Sequence, residues 1–236
     1  MSAGGAEDRG RPVAVVFLDG EYSDPGWHRA LAGRADILLA ADGGARFLSA
    51  FGVTPAAVVG DFDSLDEATS ARLQDEGVEF LRHPVRKDVT DGELAVDEAV
   101  RRGAGEVLLA GATGALDHTL GHLAILRRLA ARGIAARLVA PDLSVTVLAA
   151  PAAVALAAPP GARVSVAPLG EAATVTLTGL DYPLARGLLP ADACLGLGNH
   201  VVAGGDARIE LHDGCVVVLV ECAGESFRRV TARGEG

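Results

Sequence analysis

Ala57-Val58-Val59-Gly60-Asp61-Phe62-Asp63-Ser64 is an apolar run that closes on two aspartates one residue apart. A short, continuous apolar run of this kind suits a strand covered on both faces, as in a parallel sheet. What the paired acids do depends on whether other strands end the same way, and they do. Ile37-Leu38-Leu39-Ala40-Ala41 runs into Asp42-Gly43-Gly44. Val78-Glu79-Phe80-Leu81 precedes Lys87-Asp88-Val89-Thr90-Asp91-Gly92-Glu93, and Glu106-Val107-Leu108-Leu109-Ala110 precedes Gly111-Ala112-Thr113-Gly114-Ala115-Leu116-Asp117-His118. Residues 13–18 and 137–140 are two further apolar runs of the same texture.

Helical patterns lie between these runs at 66–75, 93–102 and 119–132; in the second, Ala95, Val96, Ala99 and Val100 share a face. Strand alternating with helix predicts a doubly wound, mainly parallel α/β domain over residues 12–142. The texture changes at about residue 143. Residues 145–148, 162–166, 174–177 and 208–211 alternate with period two or are rich in β-branched side chains, and no helical pattern follows. Asp213-Gly214 between two such runs reads as a hairpin turn. The expectation is a small antiparallel, β-sandwich-like domain over 143–226, with flexible tails at 1–11 and 227–236.

The chain has 236 residues, half of them apolar, and a formal charge of −10. That length suits one large domain or two small ones. No apolar stretch is long enough to cross a bilayer, since the longest, from Val145 to Ala158, is broken by Pro151 and stopped by Pro159-Pro160. The polar first residues lack a signal-peptide core, so a cytoplasmic protein with no membrane partner is expected. The acidic balance argues against a nucleic-acid partner, though not against a nucleotide delivered with a cation. Cys194, Cys215 and Cys222 form no metal-ligand pattern and are expected as buried or half-buried free thiols.

In an open parallel sheet, the segments after the strand carboxyl ends share one edge, and ligands bind there. Each acid alone has a structural reading. Ser64-Leu65-Asp66-Glu67 and Thr90-Asp91-Gly92-Glu93 match the helix capping box. Asp91 and Asp117 suit helix N-termini, and Asp42 before two glycines suits a turn. Together they are harder to dismiss. Two carboxylates ~4 Å apart repel by roughly 4 kcal/mol at an effective dielectric of 20, so a cluster calls for a cation. Hard oxygen donors without a histidine or cysteine cluster select magnesium over zinc, and magnesium binds through a few carboxylates plus substrate phosphates. The neighbouring glycines let backbone amides approach an anion. The chemistry implied is magnesium-assisted transfer or hydrolysis on a phosphate-containing substrate. The P-loop pattern and the nucleophilic serine elbow are absent, and Asp19-Gly20-Glu21 stands where a dinucleotide-binding glycine fingerprint would follow the first strand.

Taken in order, Asp42-Gly43-Gly44-Ala45, Gly60-Asp61-Phe62-Asp63-Ser64, Lys87-Asp88-Val89-Thr90-Asp91 with Glu93-Leu94-Ala95, and Asp117-His118 resemble the thiamine pyrophosphokinase family. The likeness is strong over about residues 35–130. Val164-Ser165-Val166-Ala167-Pro168-Leu169 and Gly179-Leu180-Asp181-Tyr182-Pro183-Leu184 resemble the second domain of that family. The resemblance implies Mg2+-dependent transfer of the terminal pyrophosphate of ATP to the hydroxyl of thiamine, releasing AMP. It implies Asp61, Asp63 and Asp91 as metal ligands, with Asp88 and Asp117 beside them in the catalytic set. Lys87 and Thr90 would hold the triphosphate, and Asp42, Gly43 and Gly44 would lie near the nucleotide. Ser64, His118 and Asn199 complete the implied binding set. The family forms a homodimer through the β domain, with the acceptor bound where the first domain meets the partner's β domain.

Departures from the family pattern concentrate on the acceptor side. Gly114-Ala115-Leu116-Asp117-His118 is one residue shorter than the family's Gly-Gly-Arg-x-Asp-His and lacks the arginine. Gly198-Asn199 stands where Ser-Asn is usual. The family's β domain often supplies a tryptophan over the acceptor ring, whereas the sole tryptophan here is Trp27, read as a packing residue of the first domain. His83 reads as structural, and Arg127-Arg128 as a solvated helix end that complements the dipole. These departures leave open another hydroxymethyl heterocycle, such as a pterin, as acceptor. A nucleotide-binding regulator without turnover is the alternative from another class.

Overall fold

The structure is a computed structural model that describes residues 11–83, 89–204 and 206–222. Six parallel strands come from the first part of the chain: β1 (Val13–Phe17), β2 (Ile37–Ala41), β3 (Ala57–Gly60), β4 (Glu79–Arg82), β5 (Glu106–Ala110) and β6 (Ala135–Ala140). Their spatial order is β4-β3-β2-β1-β5-β6. Five helices connect them: α1 (Pro25–Ala32), α2 (Gly44–Ala50), α3 (Glu67–Asp75), α4 (Asp91–Arg101) and α5 (Leu116–Ala131). Successive strand residues bury on opposite faces, as the pleat requires. Val16, Leu39, Val59 and Leu109 pack under Ala95, Val96 and Ala99 of α4 and Ile125, Leu126 and Leu129 of α5. Val15, Ala40, Val58 and Leu108 pack under Leu31, Leu48 and Leu73 of the other three helices. The strand order reverses between β1 and β5, which is the topological switch point where such sheets open a crevice.

The second part extends the same sheet with antiparallel strands, in the order β6, β7 (Leu143–Ala149), β14 (Cys215–Glu221), β9 (Arg163–Pro168) and β12 (Asn199–His200). A smaller sheet of β11 (Leu184–Leu189), β10 (Ala173–Thr178), β13 (Arg208–Asp213) and β8 (Ala152–Ala155) faces it. Val164, Val166, Val216 and Val218 of the large sheet and Val154, Val175, Leu177, Ile209 and Leu211 of the small one bury between them as a sandwich core. The ten-stranded sheet runs unbroken past residue 143, and Val145, Val147 and Val217 belong to the core under α4 and α5. After α5 there is no helix among the described residues, and no described helix is long and apolar enough to cross a membrane.

Several local expectations are corrected. Asp213-Gly214 is not a hairpin turn: β13 pairs with β10 and β8, while β14 pairs with β7 and β9. It is the corner at which the chain changes sheets. Gly214 there has φ 86°, and a Cβ would lie 2.8 Å from the Ala172 carbonyl oxygen. Helices α1 and α2 are short, of eight and seven residues, and were not expected. The first starts on an Asp24 cap with Pro25 behind it. The second starts at the Asp42-Gly43-Gly44 step read as a turn, where a Cβ on Gly44 would sit 2.1 Å from the Phe17 carbonyl oxygen. Glycine is what lets α2 lie flush on β1. Asp66, not Ser64, caps α3, accepting from Thr69 N at 2.9 Å. Arg128 is not merely solvated: it pairs with Asp97 at 2.9 Å and Glu93 at 3.5 Å, bridging α5 to α4. Cys194 is exposed, while Cys215 is half-buried and Cys222 buried.

Candidate active site

A cavity of about 520 Å3 opens at the switch point. Its walls are the strand ends and the helix starts that follow them. Asp19 and Gly20 come from β1, Asp42 from β2, Asp61 from β3, and Gly111 to Thr113 from β5. Thr90, Asp91 and Gly92 at the start of α4, with His118 and His122 of α5, complete it. Tyr22 braces the floor. Its hydroxyl donates to the Leu18 carbonyl at 2.5 Å, with the Ala110 carbonyl 3.3 Å away, so the ends of β1 and β5 are held together.

Asp42, Asp61 and Asp63 each offer a carboxylate oxygen within 4.8 Å of the others. The backbone makes this possible. Asp42 N donates to the Val59 carbonyl at 2.9 Å, which lays the end of β2 against β3, and Asp42 itself has φ 41°. Gly60 is the seam between the acids: a Cβ there would lie 2.9 Å from Asp91 Oδ1 and 3.2 Å from Asp42 Cβ. Phe62 turns through φ 69° with its ring buried, so the aspartates on either side of it face outward. Asp63 N donates to Asp61 Oδ1 at 3.2 Å, and Ser64 Oγ to Asp63 Oδ1 at 3.3 Å. Asp91 opens α4, whose cap is the Thr90 hydroxyl accepting from Glu93 N at 3.2 Å. The capping reading of Thr90 therefore holds, and the cap itself delivers Asp91 to the cluster.

Asp42 is buried, and its Oδ1 has no hydrogen-bond partner among the described residues. Burial pushes its carboxyl above the usual carboxylate range; the Ser64 hydroxyl counteracts, and Asp61, Asp63 and Asp91 push it further up. A cation among these oxygens would reverse that balance. The donor set is all carboxylate, with a buried acceptor unpartnered and a glycine leaving room beside it, so the residues present fit a hard divalent ion such as Mg2+.

Other implied site residues stand apart from the cluster. Asp117 is exposed in the first turn of α5, where its Oδ1 accepts from His118 N at 2.8 Å. It lines a neighbouring cavity of about 390 Å3 with Thr90, Glu93, His118, His122 and Arg128. Gly43 lies behind the crevice wall, where a Cβ would fall 2.4 Å from the Asp19 carboxylate carbon. Asn199 is buried in the sandwich half: its carboxamide accepts from Tyr182 N and His200 N, both at 3.0 Å, and donates to the Tyr182 carbonyl at 2.9 Å. Lys87 and Asp88 lie outside the described residues.

Comparison with known proteins gives this geometry a family. The profile "Thiamin pyrophosphokinase, catalytic domain" matches residues 28–138, and "Thiamin pyrophosphokinase, vitamin B1 binding domain" matches residues 156–216. The chain belongs to the thiamin pyrophosphokinase family. The thiamine pyrophosphokinase of Bacillus subtilis is similar in fold at 23% identity, covering 89% of this chain and 98% of that one with a TM-score of 0.77. That of Geobacillus thermodenitrificans is 24% identical over 91% and 100% of the two chains, with a TM-score of 0.76. The Candida albicans enzyme is 14% identical over 89% of each chain, with a TM-score of 0.77. No protein of curated function matches. At these identities the solved structures speak to fold, and the two profiles carry the family.

Within this thiamin pyrophosphokinase fold, sequence reasoning passed over three crevice groups. Asp19 is one more strand-end acid, paired with Arg46 at 2.9 Å, and the Asp19-Gly20 step after the first strand was its signal. His122, one turn beyond His118, is buried, and its Nδ1 lies 2.8 Å from the Ala112 carbonyl, so Nδ1 carries the proton. Burial holds its basicity below the ordinary histidine range. Tyr22, the brace, has no signal in the linear sequence because its partners are backbone carbonyls, one of them 88 residues away in β5.

Proposed function

We propose that this chain catalyses transfer of the terminal pyrophosphate of ATP to the hydroxyl of thiamine, giving thiamine diphosphate and AMP. The observation that carries the reading is the convergence of Asp42, Asp61, Asp63 and Asp91 at the switch-point crevice, in a chain whose second half matches a vitamin B1 binding domain. Asp61, Asp63 and Asp91 would hold Mg2+, with Asp42 as the buried neighbour that senses its charge. The ion neutralises phosphate oxygens when bound; positioning and charge do most of the work in phosphoryl-type transfer. The amide-rich start of α4 and the Gly111–Thr113 loop would receive phosphate oxygens, as helix N-termini and glycine loops do. Lys87, Asp88, Asp117 and His118 are assigned supporting roles around the triphosphate, and the working unit is a cytoplasmic homodimer.

The acceptor is assigned to Tyr182. It is the sole Phe, Tyr or Trp between residues 81 and 226, and the residue is 72% exposed. Buried Asn199 fixes its backbone from both sides, and Asp181, whose carboxylate lies 3.8 Å from His200 Nδ1, precedes it in the chain. An exposed aromatic face suits a cationic ring such as the thiazolium of thiamine. Tyr182 would then serve as the aromatic platform in the half of the chain that lacks the family's usual tryptophan. The test is incubation with Mg-ATP and thiamine, hydroxymethylpyrimidine or hydroxymethyl-dihydropterin, read by mass spectrometry. Thiamine diphosphate with acceptor-dependent AMP is expected. ADP, AMP without acceptor, or modification of the pterin alone would overturn the reading.

A further inference from the structure

The acidic loop after β3 holds a conformation its sequence does not favour. Phe62 sits at φ 69°, a region that bulky side chains avoid and occupy only when their surroundings over-determine it. Without that turn, Asp61 and Asp63 would not both face outward from a buried residue. Two neighbours from β4 impose it. The Phe80 ring meets Phe62 edge-on, centroids 5.0 Å apart at 78°. The Arg82 guanidinium also lies over the Phe62 ring, its carbon 4.7 Å from the centroid. Arg82 Nη1 also donates to the backbone carbonyl of Asp61 at 2.8 Å. Gly60 and Arg82 are register partners across β3 and β4, so the clamp springs from the last rung of the sheet before the loop.

We propose that Arg82 is a positioning residue for the metal-binding loop, acting through the Asp61 carbonyl and the Phe62 ring. The proposal rests on the reading of Asp61 and Asp63 as metal ligands. Bonding the carbonyl keeps the guanidinium off the Asp61 carboxylate, whose Oδ1 accepts a 3.2 Å bond from Asp63 N, and a positive charge beside the loop offsets repulsion among the acids. Lysine could reach the carbonyl but could not lie flat on the ring while doing so.

The test uses the full-length protein without nucleotide. Mn2+ binding is measured by electron paramagnetic resonance for wild type, Arg82→Ala, Arg82→Lys and Phe62→Leu, each with a thermal melt. Arg82→Ala is expected to weaken Mn2+ binding about tenfold, the lower end of what groups that orient metal ligands contribute. Arg82→Lys should recover part of the loss, and Phe62→Leu should weaken binding in the same direction. In turnover assays the Mg2+ concentration for half-maximal rate should rise in parallel while the KM for thiamine stays put. Unchanged Mn2+ affinity in Arg82→Ala overturns the proposal, as does an equal rise in the thiamine KM, which would indicate general loosening. If Arg82→Ala does not fold, Arg82→Lys and Phe62→Leu decide by the same readout. A wild type that binds Mn2+ but ignores thiamine would defeat the proposed function and leave this clamp standing.

Discussion

At the crevice, acids from three separate strand-to-helix junctions meet around Gly60, with more acids close by. In the sandwich, the side chains that meet are Val, Leu, Ile and Ala, and one exposed ring stands out from them. The two regions answer to different physics. Burying apolar surface stabilises the sandwich at roughly 25 cal/mol per Å2, so most of its residues are explained by the fold they hold. Clustered carboxylates destabilise the crevice, and a fold keeps them only for a ligand that reverses their repulsion. Function should therefore be spread over many residues at the crevice and confined to few in the sandwich.

The largest effect expected is at the crevice. Asp61→Asn or Asp63→Asn replaces one of the three proposed carboxylate ligands by a neutral amide. Turnover should fall at least about a hundredfold, since a bound ion is worth several kcal/mol to transfer and ~1.36 kcal/mol is tenfold in rate. Each variant should melt no lower than wild type, because a repulsion has been relieved. Steady-state AMP release alongside a thermal melt checks both. Near-normal turnover would break the contrast between the regions.

A smaller effect is expected in the sandwich. Tyr182→Ala should raise the KM for thiamine roughly two- to thirtyfold, matching ~0.5–2 kcal/mol for a cation on an aromatic face. The Mg2+ dependence should not move. Asn199→Ala should raise the same KM and also lower the melting temperature, because it strands buried backbone groups at a cost of about 1–3 kcal/mol. Kinetics that leave the thiamine KM unchanged in Tyr182→Ala would assign acceptor recognition to another surface.

How far the sequence was legible follows the same division. The parallel strands were readable because runs such as Val58-Val59 and Leu108-Leu109 bury on both faces, leaving an uninterrupted apolar signal. Most of the acids were readable because they follow such runs, Asp19 after β1 being the one passed over. Helices α1 and α2 were not: one is defined by an Asp24 cap, the other by the bare approach of Gly44 to Phe17, and each is only about two turns long, too short for a stripe to stand out from the loops around it. The Asp213-Gly214 corner was misread because a glycine at positive φ serves a hairpin and a sheet change equally, and only long-range pairing separates them. Asn199 was picked out by family likeness, but its partner Tyr182 is 17 residues away, so the loop it anchors could not be seen. Strand-end acids announce themselves locally; anchored loops and braces such as Tyr22 exist only as contacts.

The smallest effect expected sharpens the contrast by separating stability from function at a single atom. Asp42→Asn keeps the shape of the buried side chain and removes its charge. In the folded protein the Asp42 carboxyl lies above the ordinary carboxylate range, first through burial and then through Asp61, Asp63 and Asp91, with the Ser64 hydroxyl opposing. A group raised on folding favours the folded state below its unfolded pKa, and that contribution is lost as pH rises through the folded value. The charged form therefore burdens the metal-free protein at neutral pH and not at about pH 4 and below. Asp42→Asn should raise the metal-free melting temperature at pH 7 by about 2–4 °C, corresponding to ~1 kcal/mol in a chain of this size. The gain should shrink as the pH falls through the raised folded-state value of the wild-type carboxyl toward the ordinary carboxylate range of about 4. With saturating Mg2+ and nucleotide the ordering should invert, because the wild-type charge then faces a cation. A melting gain that persists unchanged at pH 4 would mean that packing, not charge, is what the asparagine improves, and the electrostatic account of the crevice would fail at its most buried member.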